Sequence, residues 1–263
     1  MKLALGMSLT SSKKVRKSFL LDDYSGASAA YSLRQLSSSV TRSIRVRESD
    51  GDTERDFTSA EITNGILTAF TGANDGFVVT WYDQSGNGNS LTQSTASSQP
   101  KIVSSGVVIL ENGKPAVSFD GTNALSISSV LSGATYNLFA VMNQTNTLYA
   151  YGLSNGIGNS LRWNGSTLFL RGSGSDISYV TGALGQNLYY NIQDTTSFMY
   201  LNGTQVATGS NGSTTLDGIH MGEHGAQSAN ATVKVQEFII YLTDESANKS
   251  GIETNINNEY SIY

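Results

Sequence analysis

Cysteine is absent from this chain of 263 residues, and only 2 Pro and 2 His are present. The lack of cysteine excludes disulfide bonds and thiolate metal sites. With only His220 and His224 as imidazoles, a zinc site would depend on carboxylates, so we expect neither a metal nor a cofactor. No apolar run approaches the roughly 20 residues that a membrane-spanning helix needs, so we expect no membrane insertion.

Charge is distributed unevenly along the chain. Residues 1–47 hold nine Lys and Arg against two acidic residues, whereas residues 48–263 hold seven against nineteen. The basic start predicts an arm that docks onto an acidic surface, although an ordinary solvated basic segment fits equally well. Because phosphate neutralisation dominates nucleic-acid binding, the acidic remainder argues against nucleic acid as the main ligand.

The first nineteen residues lack amphipathic periodicity and form the predicted arm. Its candidate anchor residues are Lys13, Lys14, Arg16 and Lys17. The apolar stretch before them is too short for a secretory signal peptide, so we do not expect secretion by that route.

The 27 Gly, together with abundant Ser, Thr and Asn, favour many short strands joined by tight turns. After residue 100, strands and turns alternate at short and even spacing, which is typical of an all-β sandwich. Asn202-Gly203 and Asn164-Gly165 each join two apolar strands and predict β-hairpins. Candidate strands cover residues 107–110, 115–119, 124–128, 137–142, 147–152, 160–163, 167–171, 188–193, 196–201, 204–208, 217–221 and 233–242.

The remaining elements are predicted from residue type and periodicity. Small residues favour a short helix within residues 25–34, and apolar residues at spacing four predict helices over 58–70 and 244–260. Residues 43–47 and 77–82 are predicted strands because their apolar residues are β-branched or aromatic.

The loop of residues 83–89 contains Asp83, Asn87 and Asn89, whose oxygens could bind Ca²⁺. Only one of these is a carboxylate and the spacing of a calcium loop is missing. We therefore favour a turn in which these side chains bond to backbone groups.

Three aromatic residues are candidates for carbohydrate binding: Tyr149, Tyr151 and Trp163. Regular strand alternation would point both tyrosines the same way. The alternative is that all three pack beneath a neighbouring sheet or a subunit interface. Glu237, on an otherwise apolar strand, is either a buried functional acid or a partner for a neighbouring strand.

Three segments share the order seen in a known superfamily: residues 198–203 with an Asn-Gly turn, 218–222 ending in glycine, and 235–241 with Glu before two aliphatic residues. This order resembles the concanavalin A-like, laminin-G-type sandwich, over about residues 105–263. The resemblance implies an all-β jelly-roll sandwich with a few short helices, the last of them closing the chain.

A second resemblance covers about residues 26–95. Residues 30–36, 44–47 and 81–89 look like the start of the catalytic domain of fungal-type α-L-arabinofuranosidases. Similar segments also occur in tailed-phage virion proteins, and residues 99–123 look more like those proteins than like the enzymes. The first of these families implies a retaining glycosidase with two carboxyl groups. The stretch 221–225, with Glu223, aligns near its acid/base region, but no second carboxylate has a matching context and the family's cysteines are absent.

From these resemblances we expect one β-sandwich domain over residues 20–263, with an arabinofuranosidase-like segment at 20–104 and a laminin-G-like core at 105–263, preceded by the arm at 1–19. The leading hypothesis is a non-enzymatic virion protein, a capsid decoration, head-fibre or tail-associated subunit. It would be a homo-oligomer bound to other virion proteins and would contact host surface glycans. The alternatives are an α-L-arabinofuranosidase-type glycoside hydrolase and a lectin-like adhesion module.

Overall fold

The computed structural model describes residues 18–145, 149–153, 159–173, 175–181, 185–212, 215–223 and 231–263. The helices are α1 (Leu20–Asp23), α2 (Ser59–Thr63), α3 (Ile66–Thr71) and α4 (Lys249–Tyr260). The strands are β1 (Ala29–Ser32), β2 (Arg42–Glu48), β3 (Glu54–Thr58), β4 (Gly76–Trp81), β5 (Leu91–Thr92), β6 (Lys101–Ser104), β7 (Val107–Val108), β8 (Leu110–Glu111), β9 (Lys114–Pro115), β10 (Val117–Asp120), β11 (Leu125–Ile127), β12 (Tyr136–Gln144), β13 (Tyr149–Gly152), β14 (Ser160–Asn164), β15 (Thr167–Arg171), β16 (Asp176–Val180), β17 (Gln186–Gln193), β18 (Ser197–Leu201), β19 (Thr204–Gly209), β20 (Ile219–Met221) and β21 (Thr232–Tyr241). The all-β prediction is confirmed.

Local sequence signals are borne out where the interactions are local. Both Asn-Gly hairpins form, between β14 and β15 and between β18 and β19. The helix predicted over residues 58–70 is divided into α2 and α3 because Gly65, with φ of 92°, breaks it. The helix predicted within residues 25–34 is wrong: Ala29–Ser32 forms β1, whose four residues are buried and pair with β21.

The first sheet has the order β1-β21-β12-β17-β18-β19, and all of its pairs are antiparallel. Both of its faces are covered. One faces the main core, and against the other α1 and α4 pack through a second apolar cluster that includes Phe139, Tyr190, Ile252 and Ile256. Because both faces are buried, β12 and β21 are almost continuously buried along their length.

The second sheet has the order β3-β2-β4-β5-β11-β20-β13-β14-β15-β16. Its inner face supplies Trp81, Trp163 and Met221 to the core shared with the first sheet. At one side, β6 and β10 connect the two sheets, since β6 pairs with β4 and β10 pairs with both β6 and β21. The other face of the second sheet carries the polar residues described below.

The loop of residues 83–89 bonds to backbone groups, as favoured from its sequence. The Asp83 carboxylate accepts hydrogen bonds from the amides of Ala30, Ser85 and Asn89, at 2.9 to 3.0 Å. The Asn87 side chain donates to the carbonyl of Ala27 at 2.9 Å. The loop therefore fixes the strand β1 rather than presenting free oxygens to a cation.

Glu237 is fully buried and is the centre of a bonded network. Its carboxylate accepts two hydrogen bonds from the Arg34 guanidinium, at 2.7 and 2.8 Å, and one from the Ser32 hydroxyl at 2.8 Å. Arg34 also donates to the side-chain oxygen of Asn255 in α4. This acid therefore ties β21 to β1 and to the terminal helix.

Candidate functional site

Ten residues, each paired with the next across neighbouring strands, form one line across the second sheet. Each residue of this line is the cross-strand partner of the next, so all of them lie on the face away from the core. We call this line the polar row; it consists of Asp56, Arg45, Thr80, Thr92, Ser126, His220, Gly152, Ser160, Arg171 and Asp176.

His220 and Glu223 form the centre of the candidate site. The His220 Nδ1 atom lies 3.5 Å from the Glu223 Oε1 atom. The His220 side chain is 8% exposed, and neither of its ring nitrogens has a hydrogen-bond partner within the described part of the chain. The Glu223 side chain is 26% exposed, so its carboxyl group is open to solvent and to a ligand.

A glycine turn sets the position of Glu223. Gly222 has φ of 80°, a left-handed conformation that side chains rarely adopt, and a Cβ atom there would collide with the Phe119 ring. Gly222 also accepts a hydrogen bond from the Ala231 amide at 2.8 Å. The chain can therefore turn sharply after β20 and bring the Glu223 carboxyl group back beside His220.

Gly152, which is buried and has no side chain, lies between His220 and Ser160 in the polar row. Ser160 is fully buried, and its Oγ atom has no hydrogen-bond partner among the described residues. A glycine flanked by unpartnered polar groups is the kind of place where a polar ligand can approach backbone.

Beyond Ser160 the row ends in a charged cluster. The Arg171 Nε atom lies 3.1 Å from an Asp176 carboxylate oxygen, and Arg162, on the same face of β14, lies 3.7 Å from the other. The Arg171 guanidinium donates to the Tyr149 hydroxyl at 2.7 Å. These side chains are about a quarter exposed, so the cluster is partly open.

The three predicted carbohydrate-binding aromatics do not lie together. A β-bulge between Tyr149 and Tyr151 breaks the alternation that would point both the same way. Tyr149 lies on the face of the polar row, whereas Tyr151 and Trp163 are in the core, 0% and 1% exposed. Burial raises the pKa of the Tyr151 hydroxyl, which accepts a hydrogen bond from Asn191 at 3.1 Å. A sugar contact therefore stays a prediction for Tyr149, and Tyr151 and Trp163 support the sheet from beneath.

Three further expectations concern the anchor arm, metal binding and membrane insertion. The predicted anchor residues Lys13, Lys14, Arg16 and Lys17 lie outside the described residues. Within the residues described, no group of three or more His, Asp or Glu side chains has the arrangement of a metal site. No helix in the described ranges is long and apolar enough to cross a membrane.

All 21 Asp and Glu residues of the chain are among the described residues, so the carboxylates near Glu223 can be compared. Asp176 is four strands from His220, about 19 Å at the usual strand spacing, and is held by two arginines. Asp120 is nearer: it pairs with Thr232, the neighbour of Ala231, which bonds to Gly222. Asp120 is exposed and accepts hydrogen bonds from Thr122.

The two-sheet sandwich is similar in fold to that of arabinofuranosidases. A GH54 α-L-arabinofuranosidase soaked with a cyclic sulfate inhibitor has a TM-score of 0.63 and 16% identity, over 88% of this chain and 62% of that one. A mutant GH54 enzyme soaked with 4-nitrophenyl α-L-arabinofuranoside, with the same identity and coverage, has a TM-score of 0.62.

A third similar structure is an arabinofuranosidase in complex with arabinofuranosyl-α-1,2-xylobiose, with a TM-score of 0.59, 17% identity and the same coverage of both chains. This chain therefore spans less than two thirds of each of these enzymes. No protein-family profile matches it, and no curated protein matches it.

These comparisons correct the leading hypothesis. The predicted non-enzymatic virion protein, with its capsid, fibre or tail role, is contradicted, because three structures that match over 88% of the chain are arabinofuranosidases. The arabinofuranosidase resemblance noted at residues 26–95 extends to the fold of 88% of the chain.

Proposed function

We propose that this protein is a glycoside hydrolase that acts on α-L-arabinofuranosides, with Glu223 as its general acid. The observation that carries the proposal is the partly exposed Glu223 carboxyl group, 3.5 Å from a buried imidazole that has no hydrogen-bond partner among the described residues and whose cross-strand neighbour is Gly152. The likeness in fold to three arabinofuranosidase structures supports the choice of substrate.

The reaction needs two carboxyl groups, and Asp120 is the proposed second one. Asp120 is the last residue of β10. It lies at the end of the sandwich where β20 also ends and where the chain turns into Glu223. The two acids of the polar row are already engaged: Asp56 by Arg45 and Asp176 by Arg171. Asp120 accepts hydrogen bonds only from a neighbouring threonine among the contacts of the described residues, so its second oxygen is available to water or to the sugar.

In the proposed step, Glu223 gives its proton to the glycosidic oxygen as the bond between that oxygen and the anomeric carbon breaks. Water then supplies hydroxide to the anomeric carbon. Where Asp120 activates the water, the proton passes to Asp120, and exchange with solvent returns a proton to Glu223; where Asp120 has formed a glycosyl ester, the proton of the water passes to Glu223. His220 is a positioning residue that holds the carboxyl group over Gly152. Asp120 either activates this water directly, which inverts the anomeric centre, or first forms a glycosyl ester, which retains it.

The test is hydrolysis of 4-nitrophenyl α-L-arabinofuranoside by the full chain, followed through release of 4-nitrophenolate. We expect turnover above the rate in buffer, and NMR of the first-formed sugar anomer then distinguishes inversion from retention. Matched 4-nitrophenyl β-D-xylopyranoside is the control for ring size and is expected to react more slowly. Absence of turnover with the arabinofuranoside, in protein shown to be folded by circular dichroism, contradicts the proposed function.

A further inference from the structure

Two arginines and one carboxylate share the end of the polar row. Arg162 and Arg171 come from the neighbouring strands β14 and β15 and both approach Asp176, at 3.7 and 3.1 Å. One carboxylate neutralises only one of two guanidinium groups, so the cluster keeps a net charge of +1. The charge is held where side chains are only about a quarter exposed, so water screens it less than at an open surface.

The guanidinium groups are fixed in place before any ligand arrives. The Arg162 guanidinium lies 4.7 Å from the centre of the Phe169 ring, and Arg171 donates to the Tyr149 hydroxyl at 2.7 Å. A planar guanidinium held by ring contacts and hydrogen bonds loses little freedom when it binds a carboxylate through two parallel hydrogen bonds. The cluster is therefore preorganised for a planar anion.

Two buried hydrogen-bonding groups in or beside the cluster lack a partner among the described residues. The Arg162 Nε atom is buried and has no hydrogen-bond partner within the described ranges, and the same holds for the Ser160 Oγ atom. Ser160 is fully buried and is the cross-strand partner of both Gly152 and Arg171, so it lies between the sugar site and the arginines. Leaving buried polar groups unpaired is costly, and oxygens of a ligand would satisfy both.

We infer that Arg162 and Arg171 bind a carboxylate of the substrate, so that the preferred substrate is an acidic oligosaccharide with a uronic acid unit. The inference rests on the proposed function, because the sugar unit placed at Glu223 fixes one end of the sugar chain that would run towards the arginines. Arg171 is three strands from His220, about 14 Å at the usual strand spacing. The carboxylate therefore belongs to a different sugar unit from the one at Glu223, and the units between them would pass above Ser160.

The experiment compares two ligands that differ only in one carboxyl group. One is an arabinofuranosyl xylo-oligosaccharide that carries glucuronic acid, and the other is the same compound with that carboxyl group reduced to an alcohol. Binding is measured by calorimetry with the Glu223→Gln chain, so that the ligand is not consumed. We expect the acid to bind about tenfold more tightly or better, and the ratio to fall as salt is raised.

Variants assign the preference to the cluster. Arg171→Gln is expected to bring the affinity ratio close to one, and Arg162→Lys, which keeps the charge but loses the planar fork, is expected to reduce it. Arg55→Gln is the matched control, because Arg55 pairs with Glu61 outside the polar row and should leave the ratio unchanged. Arg162→Lys also keeps the test usable where Arg171→Gln fails to fold.

The possible results separate the two proposals. Turnover of 4-nitrophenyl α-L-arabinofuranoside without a preference for the acidic ligand overturns the carboxylate site and leaves the hydrolase standing. A preference that depends on Arg171, in a chain that hydrolyses nothing, supports the carboxylate site and overturns the hydrolase. Equal affinity for both ligands shows that the arginines serve only to hold Asp176.

Discussion

Replacing Glu223 by Gln is expected to lower kcat/KM for 4-nitrophenyl α-L-arabinofuranoside by about 10²- to 10⁴-fold, the usual contribution of a general acid. The amide keeps the size and most of the hydrogen bonding of the carboxyl group but has no proton to give to the leaving oxygen. Substrate binding should change little, so the loss should appear in kcat rather than in KM. Initial rates over a range of substrate concentrations measure both.

The leaving group provides a sharper version of this test. Because a poor leaving group needs protonation more, phenyl α-L-arabinofuranoside should lose more activity in Glu223→Gln than the 4-nitrophenyl compound does. Glu54→Gln is the matched control: Glu54 pairs with Arg45 at the far side of the same sheet and should leave kinetics unchanged. Wild-type activity in Glu223→Gln, or an equal loss with both leaving groups, contradicts the role of general acid.

The second large effect concerns stability. Glu237→Gln is expected to lower the free energy of unfolding by about 3–5 kcal/mol, the usual cost of removing one partner of a buried ion pair. Glu237 is 0% exposed and the Arg34 side chain is 19% exposed, so the guanidinium would keep its charge without a carboxylate beside it. Denaturation by urea, followed by tryptophan fluorescence and circular dichroism, measures the change.

A double variant shows whether the pair or the packing is responsible. Arg34→Met combined with Glu237→Leu removes both charges, and we expect it to recover much of the lost stability because no charge is left buried and unpaired. A loss below about 1 kcal/mol in Glu237→Gln, the range of exposed ion pairs, would contradict the assignment of this network as a tie between β1, β21 and α4.

The strands and hairpins could be predicted from sequence because their signals are local. Asn202-Gly203 and Asn164-Gly165 determine their own turns, and the strands beside them need only the next segment of chain to pair with. The strand β1 could not be predicted in this way. Its residues are small, and its extended form depends on pairing with β21, some 200 residues later, and on the bonds from Asp83.

The polar row could not be predicted from the sequence for the same reason. His220 pairs with Ser126 and Gly152 only because β20 lies between β11 and β13, and no spacing along the chain indicates that strand order. The tyrosines of β13 show a smaller failure. Alternation holds in regular strands, and the bulge that separates Tyr149 from Tyr151 leaves no recognisable mark in the sequence.

Part of the candidate site was indicated by the sequence. The stretch of residues 221–225 resembles the acid/base region of arabinofuranosidases, and Glu223 is the acid that the structure brings beside His220. Asp120 was not indicated by any sequence motif, because it lies about a hundred residues earlier in a turn of ordinary composition. Its position at the end of the sandwich where β20 also ends depends on the hydrogen bond between Ala231 and Gly222 and on the pairing of β10 with β21.

The central claim is that sugars bind on the polar row, over Gly152 and beside His220 and Glu223. Its most direct test is a crystal structure of the Glu223→Gln chain soaked with 4-nitrophenyl α-L-arabinofuranoside. We predict a furanose ring above Gly152, with its glycosidic oxygen within hydrogen-bond distance of the side chain at position 223. A ring bound on another face of the sandwich, or an empty polar row at saturating ligand, would contradict the account.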